Sequence, residues 1–189
     1  MEKIYTLIDQ QPMMCVPCCL QMILKRRNLL QTYMTQIELA KYLDFSNPEY
    51  TMEMYPMFPA SKSFEENGCK IKSLTEDLFK PLGLNLREYY HSPRVLYNDF
   101  DKDMLINLLL GGNNIDIDVL FFLDYATLKD YIDKVTPHAV IMEKFIDENH
   151  IHLISPIENY KTKREIITLT KLMQSIFKIK KSGGISLIY

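Results

Sequence analysis

The sequence predicts an α+β fold with a mainly antiparallel sheet. Helix-like spacing is concentrated early, as in Leu20, Ile23 and Leu24. The clearest strand signals come late, where residues 138–145 and 150–155 flank the turn-forming Ile146-Asp147-Glu148-Asn149 as a hairpin. Strands and helices do not alternate regularly, which argues against a doubly wound parallel sheet.

In order along the chain, residues 3–8 read as a short strand or an extended entry segment. A helix is predicted from Cys15 to about Arg27. Pro17 fits its first turn, where a missing N–H costs nothing, and Lys25-Arg26-Arg27 place cations at its negative end. A second helix follows over 35–42, with Ile37, Leu39, Ala40 and Leu43 as its stripe. Residues 44–66, with prolines at 48, 56 and 59, read as an irregular insertion. The spacing predicts a helix over 74–82, capped by Ser73 or Thr75 and stopped by Gly83, then a short strand over 84–90.

A helix over 101–110 ends at Gly111-Gly112, and a β-rich run follows over 115–123. In that run Asp116 and Asp118 are expected to face away from the apolar side. Residues 128–135 fit a short helix or an ordered loop. After the hairpin come a helix over 168–177 and, beyond Gly183-Gly184, a terminal strand over 185–189.

The 189 residues suit a single domain spanning 1–189 with a substantial core. A net charge of −2 gives no reason to expect nucleic acid or an acidic membrane surface as partner. No run approaches the roughly 18 apolar residues of a membrane span, and the first fifteen residues lack the apolar core of a secretory signal. Three of four cysteines crowd into positions 15–19, which is no disulfide framework, so a reducing cytoplasm is the expected location. Cys15-x-x-Cys18 has no second cysteine pair or nearby histidine at ligand spacing, so neither metal nor cofactor is expected.

Cys15 carries the chemical interest. At a helix N-terminus, unpaired N–H groups and the helix dipole would stabilise its thiolate, and Cys18 and Cys19 read as core residues. A nucleophilic thiol needs a base, and four histidines are available. His91 falls in a loop near Pro93, while His150 and His152 share one face of a strand as solvent-facing positions. His138 opens a strand directly after Pro137, a rigid place from which a side chain can reach a neighbouring helix end.

A cysteine on an early helix and a histidine at the head of a late strand make a papain-like arrangement. The motif Gln10-x4-Cys15-Val-Pro-Cys-Cys-Leu-x-Met-Ile-Leu resembles the N-terminal motif of the double-glycine leader peptidases and their single-domain relatives. His138-Ala-Val-Ile, the hairpin and Ser155-Pro156 are similar to that family's His-x-Val-Val, hairpin and Asp-Pro. The resemblance implies a papain-like fold, with an N-terminal helical half packed on the sheet. It also implies Cys15 as nucleophile, His138 as base, and the Gln10 amide as oxyanion donor beside the Cys15 N–H, with Gln11 as the rival donor.

The implied substrate is an extended peptide or protein segment, cleaved through acylation of Cys15. Two positions depart from the family: Val16 replaces its usual glycine, and Ser155 stands where its histidine-orienting Asp would be. Asn159 or Asp147 are alternatives for that orienting role. Two other outcomes stay open: a binding module that keeps the cleft without cleaving, and an acyl or amide transferase using the same residues.

Overall fold

The computed structural model describes residues 3–12, 14–43, 73–91, 107, 116–130, 135–157, 161–179 and 183–189. The insertion expected at 44–66, Asn159 and all of the helix expected at 101–110 except residue 107 lie outside them. Among the described residues, six strands form one antiparallel sheet: β1 (Glu88–His91), β2 (Asp118–Asp124), β3 (Pro137–Phe145), β4 (His150–Ile157), β5 (Lys161–Thr168) and β6 (Gly184–Ile188). Their order is β1-β6-β2-β3-β4-β5. The hairpin pairs Ile141 with Ile154 and Phe145 with Ile151, with a bulge between Met142 and Lys144.

Among the described residues the sheet is accompanied by the helices α1 (Cys15–Arg26), α2 (Gln36–Tyr42), the single turn α3 (Tyr125–Leu128) and α4 (Leu169–Lys178). The α+β class and the antiparallel sheet follow the sequence reading. Residues 3–10 form no strand and run as an irregular entry segment. Where a helix was expected over 74–82, a π-helical turn covers Thr75–Phe79. Ser73 Oγ accepts from Glu76 N–H at 3.1 Å at its start, and Gly83 takes a φ of +67° beyond it, as a left-handed stop requires.

Strand periodicity divides the core in two. Leu120, Phe122, Ala139, Ile141, Ile154 and Ile188 face α1. Val119, Phe121, Val140, Met142, Leu153 and Ile185 face α4, meeting Leu169, Leu172 and Ile176. With both faces covered, every residue of β2 is buried, which corrects the expectation for Asp118. Its side chain is fully buried rather than turned outward, and only Asp116 of that pair is exposed.

Asp118 survives burial because cations come to it. Arg26 donates to its two carboxylate oxygens at 2.7 and 2.6 Å, Arg27 Nε donates at 2.5 Å, and the Tyr5 hydroxyl donates as well. Arg27 also donates to the Ile188 carbonyl at 2.9 Å, so the C-terminal end of α1 is fastened to β2 and β6 together.

β5 was not foreseen. It pairs with β4 along its whole length, from His150–Thr168 to Ile157–Lys161. Lys161, Lys163 and Arg164 are exposed on this edge strand, a composition that blunts edge-to-edge pairing. His91 was placed in a loop but ends β1 opposite Ile185, its ring 5.0 Å from that of Tyr89.

Candidate functional site

The site is assembled where α1 begins and β3 starts. Cys15 is the first residue of α1, as the sequence implied, and is half-buried. Met14 N–H donates to the Gln11 carbonyl at 3.1 Å, closing the turn that delivers the chain into the helix. The N–H groups of Cys15, Val16 and Ala139 all face the Cys15 sulfur and favour its thiolate. Burial outweighs them and pushes the thiol up to about 11. Burial therefore opposes the dipole-stabilised thiolate expected from sequence.

Ala139 is one residue past His138, so the peptide that touches the sulfur is the one that carries the histidine. Farther along α1, Cys19 Sγ meets the Ala139 carbonyl at 3.5 Å. Two successive turns of the helix thus rest on the two polar groups of Ala139. Cys18 and Cys19 are fully buried, as core residues should be.

His138 is 8% exposed and lies in phase with Val140 and Met142 on β3. Its Nε2 is 3.2 Å from Ser155 Oγ, and Ser155 is fully buried on β4. The sequence-predicted pair His138 and Ser155 is thus brought together. Asp147, an alternative for Ser155, instead bonds His150 at 2.9 Å in the hairpin turn and is removed from consideration. Burial alone lowers His138 to about 3, so the imidazole is neutral across the physiological range.

That value fixes a sign. The unfolded chain binds this proton below about pH 6.5 and the folded chain only below about 3. The contribution is present above 6.5 and lost as pH falls toward 3, with a slope of at most about 1.4 kcal/mol per pH unit. Urea unfolding between pH 7 and 4 should show this acid loss, and His138→Leu should flatten the slope by that amount. An unchanged slope in the variant would contradict the buried neutral state.

Two residues that hold His138 escaped the sequence reading. Tyr125 presents its ring to the imidazole in an edge-on contact at 5.0 Å. Asp124, 1% exposed, caps α3 by accepting from Ala126 and Thr127 N–H at 3.3 and 3.1 Å. It also accepts from Thr136 N–H at 2.6 Å, fastening the residue before Pro137. The pattern Asp124-x-x-Thr127 after an apolar run was the available signal.

Gln10 is half-buried, and its Oε1 is enclosed with no hydrogen-bond partner. No hydrogen bond joins it to Cys15 or His138. The rival Gln11 is exposed. Val16 is fully buried and packs into the core on the α1 side of the sheet. Among the described residues no helix is long and apolar enough to cross a membrane, and no group of three His, Cys, Asp or Glu is placed to hold a metal ion. Compared with protein-family models and with curated proteins, the chain matches none significantly.

Proposed function

We propose that this chain is a papain-like cysteine peptidase resembling the double-glycine leader peptidases, with an extended peptide as substrate. The observation that carries the reading is the meeting of α1 and β3, which sets the Cys15 sulfur against the Ala139 N–H while His138 is backed by Ser155 at 3.2 Å. With the thiol and the imidazole both neutral at rest, the reaction requires proton transfer during attack rather than before it. Cys15 Sγ bonds to the peptide carbonyl carbon as its proton passes to His138. The C–N bond then breaks, its electron pair going to the departing amine, which takes that proton, and water hydrolyses the thioester. The Cys15 N–H and the Gln10 amide are assigned to the oxyanion.

The test is alkylation by iodoacetamide, with the adduct mapped to Cys15 by mass spectrometry. Wild type should label about tenfold faster near neutral pH than His138→Ala, the lower end of what a general base supplies. Its rate should keep climbing with pH toward the thiol value of about 11.

A second reading is favoured by the hydroxyl at Ser155 and by the high thiol value: a peptidase-like module that holds a peptide or protein without cleaving it. Equal slow labelling of wild type and His138→Ala selects it. So would a Cys15→Ala protein that binds the same peptide as wild type while no cleavage product ever appears.

A further inference from the structure

We infer that Gln36 is a positioning residue for Gln10, holding the 9–11 loop in the one conformation that presents the Gln10 amide to the oxyanion. The inference rests on the proposed role of Gln10. Gln36 is 4% exposed at the first position of α2, and both ends of its carboxamide are spent on that loop. Its Nε2 donates to the Asp9 carbonyl at 2.9 Å and its Oε1 accepts from the Gln11 N–H at 2.8 Å. The two contacts bracket Gln10 from either side.

Groups beside these contacts are held as well. The Ile8 carbonyl accepts from the Thr162 hydroxyl and from Cys18 Sγ at 3.2 Å, while Asp9 Oδ1 accepts from Thr162 N–H at 3.3 Å. Within this tightly held backbone, the Gln10 carboxamide has an enclosed atom with no partner. A buried amide end left unsatisfied in a loop fixed on both sides calls for a partner, and the proposed oxyanion role supplies one. Oxygen and nitrogen of a carboxamide exchange by a half-turn about its last bond, which would place Nε2 at the enclosed position.

The support for Gln36 itself comes from α1. Gln21 Nε2 donates to the Met34 carbonyl at 2.8 Å, so the start of α2 is tied to the helix that carries Cys15. Thr35 caps α2 by accepting from Glu38 N–H at 3.2 Å. The path from Cys15 along α1 to Gln21, across to α2 and back through Gln36 closes a ring around the proposed oxyanion donor.

Two reactions of the same sulfur separate positioning from mere structure. Acylation by p-nitrophenyl acetate passes through an oxyanion: the S–C bond forms, the thiol proton goes to His138, and p-nitrophenolate leaves with the C–O electron pair. Alkylation by iodoacetamide displaces iodide and develops no oxyanion. Gln36→Met keeps the volume and removes both hydrogen bonds.

Its acylation burst, measured after subtraction of the Cys15→Ala background, should fall about tenfold, less than the loss of a whole oxyanion donor. Its alkylation rate should stay within about twofold. Gln10→Ala should lose at least as much acylation, and the double variant should be no slower than Gln10→Ala. If Gln36→Met fails to fold, Gln36→Glu carries the comparison, because it keeps the acceptor for Gln11 N–H and loses the donor to Asp9. A normal burst in Gln36→Met with a reduced burst in Gln10→Ala overturns the role of Gln36. A normal burst in Gln10→Ala overturns the oxyanion assignment beneath it. Equal loss of both reactions in Gln36→Met assigns the residue to folding alone and overturns the positioning role.

Discussion

Replacing Asp118 by alanine should cost about 3–5 kcal/mol of folding stability, because it strands two guanidinium groups that were brought inside for one carboxylate. The Asp118 side chain is fully buried, and those of Arg26 and Arg27 are only 11% and 13% exposed. Arg26 retains Asp116 at 3.0 Å, but Asp116 is half exposed and screened by water. Arg27 retains two carbonyls, of Asp116 and Ile188, which are dipoles rather than charges. Neither arginine keeps a full buried counter-charge.

For a chain of this length the loss corresponds to a melting temperature lower by roughly 10 °C. Tyr5→Phe, which removes one donor to the same carboxylate, should cost only about 1 kcal/mol. Urea unfolding of the two variants checks both figures, and an Asp118→Ala loss below that of Tyr5→Phe would refute the account. Reactivity should follow stability, since this cluster anchors the end of α1 opposite Cys15. A helix of twelve residues is roughly 18 Å long and transmits an axial slip along its length.

The parts of the fold that sequence revealed are those with a strong local pattern. α1 and α4 each carry an apolar stripe, and the β3–β4 hairpin is two apolar runs around a polar turn; each was found with nearly the right ends. β2 misled because it has neighbours on both faces, so alternating acids no longer mean an outward face. The partners that neutralise Asp118 lie some ninety residues earlier, and no window of sequence contains both.

β5 failed for the opposite reason. Its residues Lys161-Thr162-Lys163-Arg164 carry almost no apolar signal, since an edge strand is held by backbone pairing with β4 rather than by burial. Gln36 was invisible in another way. Nothing distinguishes it from an ordinary helical glutamine until both its contacts with the 9–11 loop are known. In the site, Ser155 was singled out by the resemblance to the family's Asp-Pro after the hairpin, and the β3–β4 pairing brings it within 3.2 Å of His138. The electrostatics were not legible, since the low value of His138 depends on how deeply the ring is enclosed.

Ser155→Asp should raise the acylation rate of Cys15 near neutral pH on the order of 100-fold, a fraction of the roughly 10⁴ that an orienting carboxylate is worth in a serine triad. The substitution puts an anion at the position that now holds a hydroxyl 3.2 Å from His138 Nε2. A hydroxyl fixes the ring but does little for the imidazolium formed when the thiol proton arrives. An opposite charge at this distance commonly moves a histidine upward by one to three pKa units, starting from about 3.

The variant's pH–rate curve should therefore move to lower pH as the thiolate–imidazolium pair becomes accessible. Ser155→Asn, which can accept the ring N–H without a charge, should give a smaller gain. That ordering separates electrostatic stabilisation from simple orientation. Ser155 is fully buried, so the new carboxylate costs stability. The raised histidine pKa still lies below the unfolded value of about 6.5, so the variant should still lose stability as pH falls below about 6.5, over a narrower range than wild type. Adding His138→Ala to Ser155→Asp should erase the gain, because the carboxylate acts only through the ring. A folded Ser155→Asp protein whose Cys15 acylates no faster than wild type would mean that His138 takes no proton from the thiol, and the binding reading would then take precedence over the peptidase.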